Sequence, residues 1–168
     1  MANTYTLISS YAATGTIASI EFTSIPATYT DLLVKLSIRG TANIGAAGFN
    51  VEYNGNASSY TMLRLMGDGS AAETAGGIAT GQIAVIQGGN ATANTFGNYE
   101  LYIPNYTSAN NKSFSVDFVN ETNATTEYMG LYAGLWANSA AITSIKFTPS
   151  TGSIVQYSTA YLYGIKNS

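Results

Sequence analysis

Hydrophobic and polar residues alternate with a period of two along much of the chain. In residues 32–39, Leu32, Val34, Leu36 and Ile38 fall on one side, and Leu33, Lys35, Ser37 and Arg39 on the other. Successive side chains of a strand leave opposite faces of the pleat, so this pattern predicts a strand with one buried face. Residues 17–23 repeat it, with Ala18, Ile20 and Phe22 set against Ser19, Glu21 and Thr23. Pro26 closes that strand, because proline has no N–H to give a ladder. Further strands are expected at 4–11, at 49–53 before the turn dipeptide Asn54-Gly55, and at 60–66, 83–86 and 99–103. Others follow at 114–119, at 127–136 ending on the single Trp136, and at 157–165.

The run Ile142-Thr-Ser-Ile-Lys-Phe-Thr148 repeats Ile17-Ala-Ser-Ile-Glu-Phe-Thr23, and each is followed by a proline and a second strand-like run. A structural repeat would set two similar strand pairs side by side, with Glu21 and Lys146 at equivalent outward positions and able to form a cross-strand ion pair. Residues 67–81, GDGSAAETAGGIATG, have almost nothing to bury and read as a flexible Gly/Ala-rich loop. Short strands at regular spacing, turn signals throughout and no amphipathic helix predict an all-β chain. The expected fold is a jelly-roll-like β-sandwich of two antiparallel sheets, with about eight to ten strands in a single domain spanning 1–168. Residues 1–11 would form an N-terminal strand or arm.

Composition sharpens this picture. Of the 168 residues 46% are hydrophobic and only 9% charged, against roughly a quarter charged in an ordinary soluble domain. The surface is therefore neutral and rich in Thr, Ser, Asn, Gly and Tyr. Six Lys/Arg and a net charge of −3 leave no basic stripe for nucleic acid. No secretory signal and no membrane-length apolar run are evident, which points to a protein made and left in the cytoplasm, or leaving by a route that reads no signal, of which release by lysis is one.

The absence of His and Cys removes the usual triads, thiolates and imidazole ligands. No Ser sits in a Gly-x-Ser-x-Gly elbow. The nine carboxylates fall mostly on outward strand positions or in turns, where solvated surface charge is the plainer reading than a glycosidase pair. Asp117, Glu121 and Glu127 bracket a polar turn and Asp68 lies in another, but neither has the spacing of an EF-hand calcium loop. The chain is thus expected to be no enzyme and to need no cofactor. Six Asn-x-Ser/Thr triplets follow from the composition of the loops. The thirteen Tyr carry more information. They cover a core or, with Trp136, Tyr161 and Tyr163 as the candidates, form a subunit interface or a platform for sugar stacking.

Several strings carry a family likeness: the opening YTLISS, ASIEFTSIPATYTDLLVK, NATANTFGNYELYIPNY, AGLW with AAITSI, and the closing YLYGIKNS. Together they resemble a family of small virion proteins of tailed bacteriophages, notably short-tailed phages of cyanobacteria and other aquatic bacteria. The resemblance implies a jelly-roll-like protein on the particle surface, assembled in the host cytoplasm. A capsid cement (decoration) protein bound to the major capsid protein lattice is the first role it implies. A tail or head fibre component recognising host surface glycan is the second. Met1, Asn3, Tyr5 and Tyr11 of the N-terminal segment, with the Gly/Ala loops, are then the candidate lattice contacts. A homotrimer is expected on symmetry grounds. No active-site pattern comes with the resemblance.

Overall fold

The computed structural model describes residues 5–43, 46–121 and 127–166. Met1 and Asn3, two of the candidate lattice contacts, lie outside these residues. Within them the chain is all-β. Its strands are β1 (Tyr5–Ala12), β2 (Ile20–Phe22), β3 (Asp31–Ile38), β4 (Ala46–Tyr53), β5 (Tyr60–Gly67) and β6 (Ala72–Ile78). They continue as β7 (Gln82–Gln87), β8 (Gly97–Ile103), β9 (Lys112–Asn120), β10 (Tyr128–Trp136), β11 (Ile145–Pro149) and β12 (Thr159–Ile165).

Two antiparallel sheets form, in the orders β1-β12-β3-β8-β9-β10-β5-β6 and β2-β11-β4-β7. The first four strands of the large sheet and the four of the small one are the two halves of a jelly roll. The other four strands are two hairpins inserted into it. β5–β6 enters between β4 and β7, β9–β10 enters between β8 and β11, and both extend the large sheet beyond β8.

Strand β6 corrects the expectation of a flexible loop over 67–81. Its pairing with β5 rests on main-chain bonds, which need no bulky side chains. Asp68 Oδ1 folds the connection by accepting from the Ser70 and Ala71 amides at 2.9 and 2.8 Å. An Arg64–Glu73 ion pair then crosses the two strands. Gly77, at φ +70°, takes the left-handed conformation that side chains disfavour.

The sequence repeat is visible as pairing. Ile20, Glu21 and Phe22 lie opposite Phe147, Lys146 and Ile145, a register symmetric about Glu21 and Lys146. The strands that follow each copy, β3 and β12, pair in the other sheet. Lys146 nonetheless makes its ion pair with Glu52, at 3.7 Å, and not with Glu21. Glu52 flanks it on the other side, on β4.

The core lies between the sheets. Leu32, Val34, Leu36 and Ile38 are buried from the large sheet, and Phe49, Val51, Ile145 and Phe147 from the small one. On β10 the inward positions alternate glycine with large rings: Gly130, Tyr132, Gly134, Trp136. The glycines make room for neighbours, since a Cβ on either would strike the Phe118 or Phe114 ring. Tyr53, Tyr60, Phe114 and Trp136 pack edge to face and stacked, with centroids 5.5–6.5 Å apart. The inserted hairpins are therefore part of the core.

Candidate interaction surface

Register places the outward side chains of the large sheet in rows that cross all its strands. One row runs from Thr74 through Leu65 and Leu131 to Asp117. It continues through Glu100, Lys35 and Tyr161 to Ser10. The neighbouring row runs from Leu63 on β5 through Ala133, Ser115, Tyr102, Leu33 and Tyr163 to Leu7. Of the nine large apolar side chains exposed among the described residues, eight belong to this face, and only Tyr157 does not. A monomeric domain scatters such residues, whereas a contiguous patch of several hundred Å² marks a contact surface.

The patch has two lobes. Leu63, Leu65, Val119, Leu131 and Met129, the last 63% exposed, form an aliphatic lobe carried entirely by the inserted hairpins. A shallow depression of 430 Å³ opens among Leu65, Val119, Met129 and Leu131. Tyr5, Leu7 and Tyr161 form a second lobe on β1 and β12, where Tyr5, Leu33, Lys35 and Tyr163 line a depression of 260 Å³. Between the lobes lies the face's charged stripe. Lys35 Nζ binds Glu100 at 2.7 Å, and this bond holds the ammonium pKa above its ordinary value. Asp117 sits beside Glu100 on the next strand. Partial burial, and then repulsion from Glu100, raise its carboxyl pKa.

The candidate residues named above separate on this geometry. Tyr5, Tyr161 and Tyr163 do share the outer face. Tyr11 does not, because the bulge between Leu7 and Ser9 shifts the register, and its ring packs half-buried against the core. Trp136 is 1% exposed and stacks on Tyr60 at 6.4 Å, so the expectation that it serves a glycan or subunit surface is corrected. It is the last inward residue of β10, following the alternation set by Tyr132. Tyr157 lies before the last strand, in a turn at φ 71°.

Arg39, expected on the outward side, is buried, and so is a second cation, Lys112. Arg39 follows the end of β3 and donates to the carbonyls of Thr92 at 2.6 Å, Ala91 at 2.9 Å and Thr95 at 3.1 Å, pinning the loop after β7. Lys112 Nζ donates to the Ser108 and Asn110 carbonyls, and burial lowers its pKa. Period-two reading gave Arg39 an outward place because it could not see the strand end at Ile38. Neither cation makes an ion pair among the described residues. Among the described residues no three acidic side chains converge in a way that could hold a metal ion.

Fold and surface together define a jelly roll enlarged by two hairpins, which carry the aliphatic lobe of its exposed apolar face. No protein-family model and no curated protein matches the chain.

Proposed function

We propose that this chain is a phage virion structural protein, a capsid cement protein that binds the assembled major capsid protein lattice and stabilises the head. The observation that carries the adhesive part is the collection, among the described residues, of eight exposed large apolar side chains on one sheet face. The virion part rests on the resemblance of the strings quoted above. A cement protein works by mass action: it binds the assembled lattice and not the separated subunits, so every bound copy raises the free energy of breaking the shell. Many equivalent sites make this cumulative. The absence of cysteine means that the stability is independent of redox conditions outside the host.

The test compares particles with and without the chain. Cement function predicts near-stoichiometric copy number with the coat protein, a lower rupture temperature for depleted heads, and its recovery when purified chain is added back. Rupture at one temperature with and without it would end the proposal. A fibre role draws on the tyrosine lobe, where Tyr5 and Tyr161 offer ring faces to sugar. It predicts a few copies per particle and loss of host adsorption on Tyr161→Ala.

A further inference from the structure

We infer that the outer face of the eight-stranded sheet is covered by a second copy of this chain, two protomers packing face to face about a two-fold axis that runs along β8. This rests on the adhesive reading of that face and not on the virion assignment; the face then joins copies of the chain, and a capsid lattice is met by surfaces outside it.

Three observations converge on it. The first is size. Eight strands about 4.8 Å apart and about 25 Å long present roughly 800 Å², which is what each partner of a standard stable interface contributes. The aliphatic lobe alone covers about half of that, so a durable contact needs both lobes.

The second is apolar complementarity. An axis along β8 reverses each row. It lays Leu131 over Tyr161 of the second copy and Leu63 over its Leu7, because each member of a pair stands the same number of strands from β8. The hairpin lobe of each copy thus covers the tyrosine lobe of the other, and the contact is self-complementary.

The third is charge. Among the described residues Asp117 makes no ion pair, and five of the chain's six Lys/Arg, all but Lys166, are engaged elsewhere. Lys35 is held by Glu100, Arg64 by Glu73 and Lys146 by Glu52, while Arg39 and Lys112 are turned onto carbonyls. Asp117 and Lys35 lie one strand to either side of Glu100. The same axis therefore brings Asp117 of each copy to Lys35 of the other, twice per dimer. The axis along β8 also lays Glu100 over Glu100, each paired with its own Lys35, whereas an axis along the rows would set the unpaired Asp117 against Asp117 as well, where like charges repel. The number of copies is two, in place of the three expected from lattice symmetry.

Because the chain contains no cysteine, single engineered thiols report the contact without background. The experiment mixes full-length Leu131→Cys and Tyr161→Cys chains with a short bis-maleimide and follows the wild-type chain by sedimentation equilibrium. A covalent dimer is expected from the mixture and from neither variant alone, and the wild type should sediment as a dimer. Leu65→Asp with Leu131→Asp should raise the dimer dissociation constant at least 100-fold with an unchanged far-ultraviolet spectrum, since both positions are exposed. Asp117→Lys should weaken the dimer about tenfold, and adding Lys35→Asp should restore it.

A wild-type monomer at about 100 µM, cross-linking of Leu131→Cys chains to each other, or assembly untouched by the paired Asp substitutions would each overturn the inference. No particle enters this experiment. A monomer would leave the rupture test standing, and an unchanged rupture temperature would leave the dimer standing.

Discussion

Two phenol hydroxyls in the same core allow one chemical change to be made twice with opposite expected sign. The Tyr99 hydroxyl donates to Asn120 Oδ1 at 2.6 Å, and Asn120 Nδ2 donates to the Val85 carbonyl at 2.6 Å. Asn120 is fully buried, so this relay ties the inserted strand β9 to β7 of the opposite sheet. Tyr99→Phe removes the bond, worth about 1 kcal/mol net, and leaves the buried amide oxygen without a donor, which costs about 1–2 kcal/mol more. A loss of about 2–3 kcal/mol corresponds to a fall in melting temperature of roughly 4–12 °C for a chain of this size.

Tyr53 is equally buried, but among the described residues its hydroxyl has no hydrogen-bond partner. Burying such a group costs about 1–3 kcal/mol by mutational measure. Tyr53→Phe removes that cost while keeping the ring contacts with Phe114 and Trp136. It should raise the melting temperature by at least about 2–4 °C. Paired thermal and urea melts of the two variants decide the matter. Destabilisation of similar size in both would refute the account of the polar groups in this core.

Other consequences follow from the same geometry. Arg39→Met should cost about 2–4 kcal/mol by orphaning the carbonyls of the loop after β7. Amide exchange should accelerate over residues 88–95, and a melting temperature within about 2 °C of wild type would contradict it. Gly134→Ala should cost about 1–3 kcal/mol, because the new methyl lands on Phe114 and within 2.7 Å of Met62 Sδ. A denaturant midpoint equal to that of wild type would refute the packing argument. Burial pushes the Tyr60 phenol up to about 12 and raises Tyr53 and Tyr99 as well. Their folded values exceed the unfolded value of about 10, so their titration leaves stability untouched below pH ~10 and lowers it as pH rises above that, for Tyr60 until about 12. Phenolate absorbance should show these three ionising only together with unfolding, and their ionisation in the folded chain would disprove it.

What the sequence revealed tracks the physics of alternation. A strand with one wet face records its orientation in every residue, so Leu32 to Ile38 and Phe114 to Val119 declare their inward and outward sides. The same signal placed Tyr161 and Tyr163 on one face. It fails where pairing is carried by the main chain, as in β6, whose Ala, Gly and Thr residues leave no apolar trace. It also fails across an irregularity: the bulge in β1 separates Tyr5 from Tyr11, although their spacing puts them in phase. Trp136 was misplaced because a large ring serves a core as well as a surface, and only its neighbours decide which. Leu63, Leu65 and Leu131 lay in plain view, but their exposure depends on which side of the hairpins the small sheet covers. That is a property of topology, and no window of residues contains it.

The last two strands among the described residues are interior ones. β12 lies between β1 and β3, and β11 between β2 and β4. A ribosome therefore releases the N-terminal strands long before the segments that will sit between them exist. Both layers must wait, with their gaps open, until β11 and β12 have emerged. Completion is then a single late event that closes both layers at once. Shortened translation products gain neither layer, and an unfinished chain has no assembled face with which to join a growing structure.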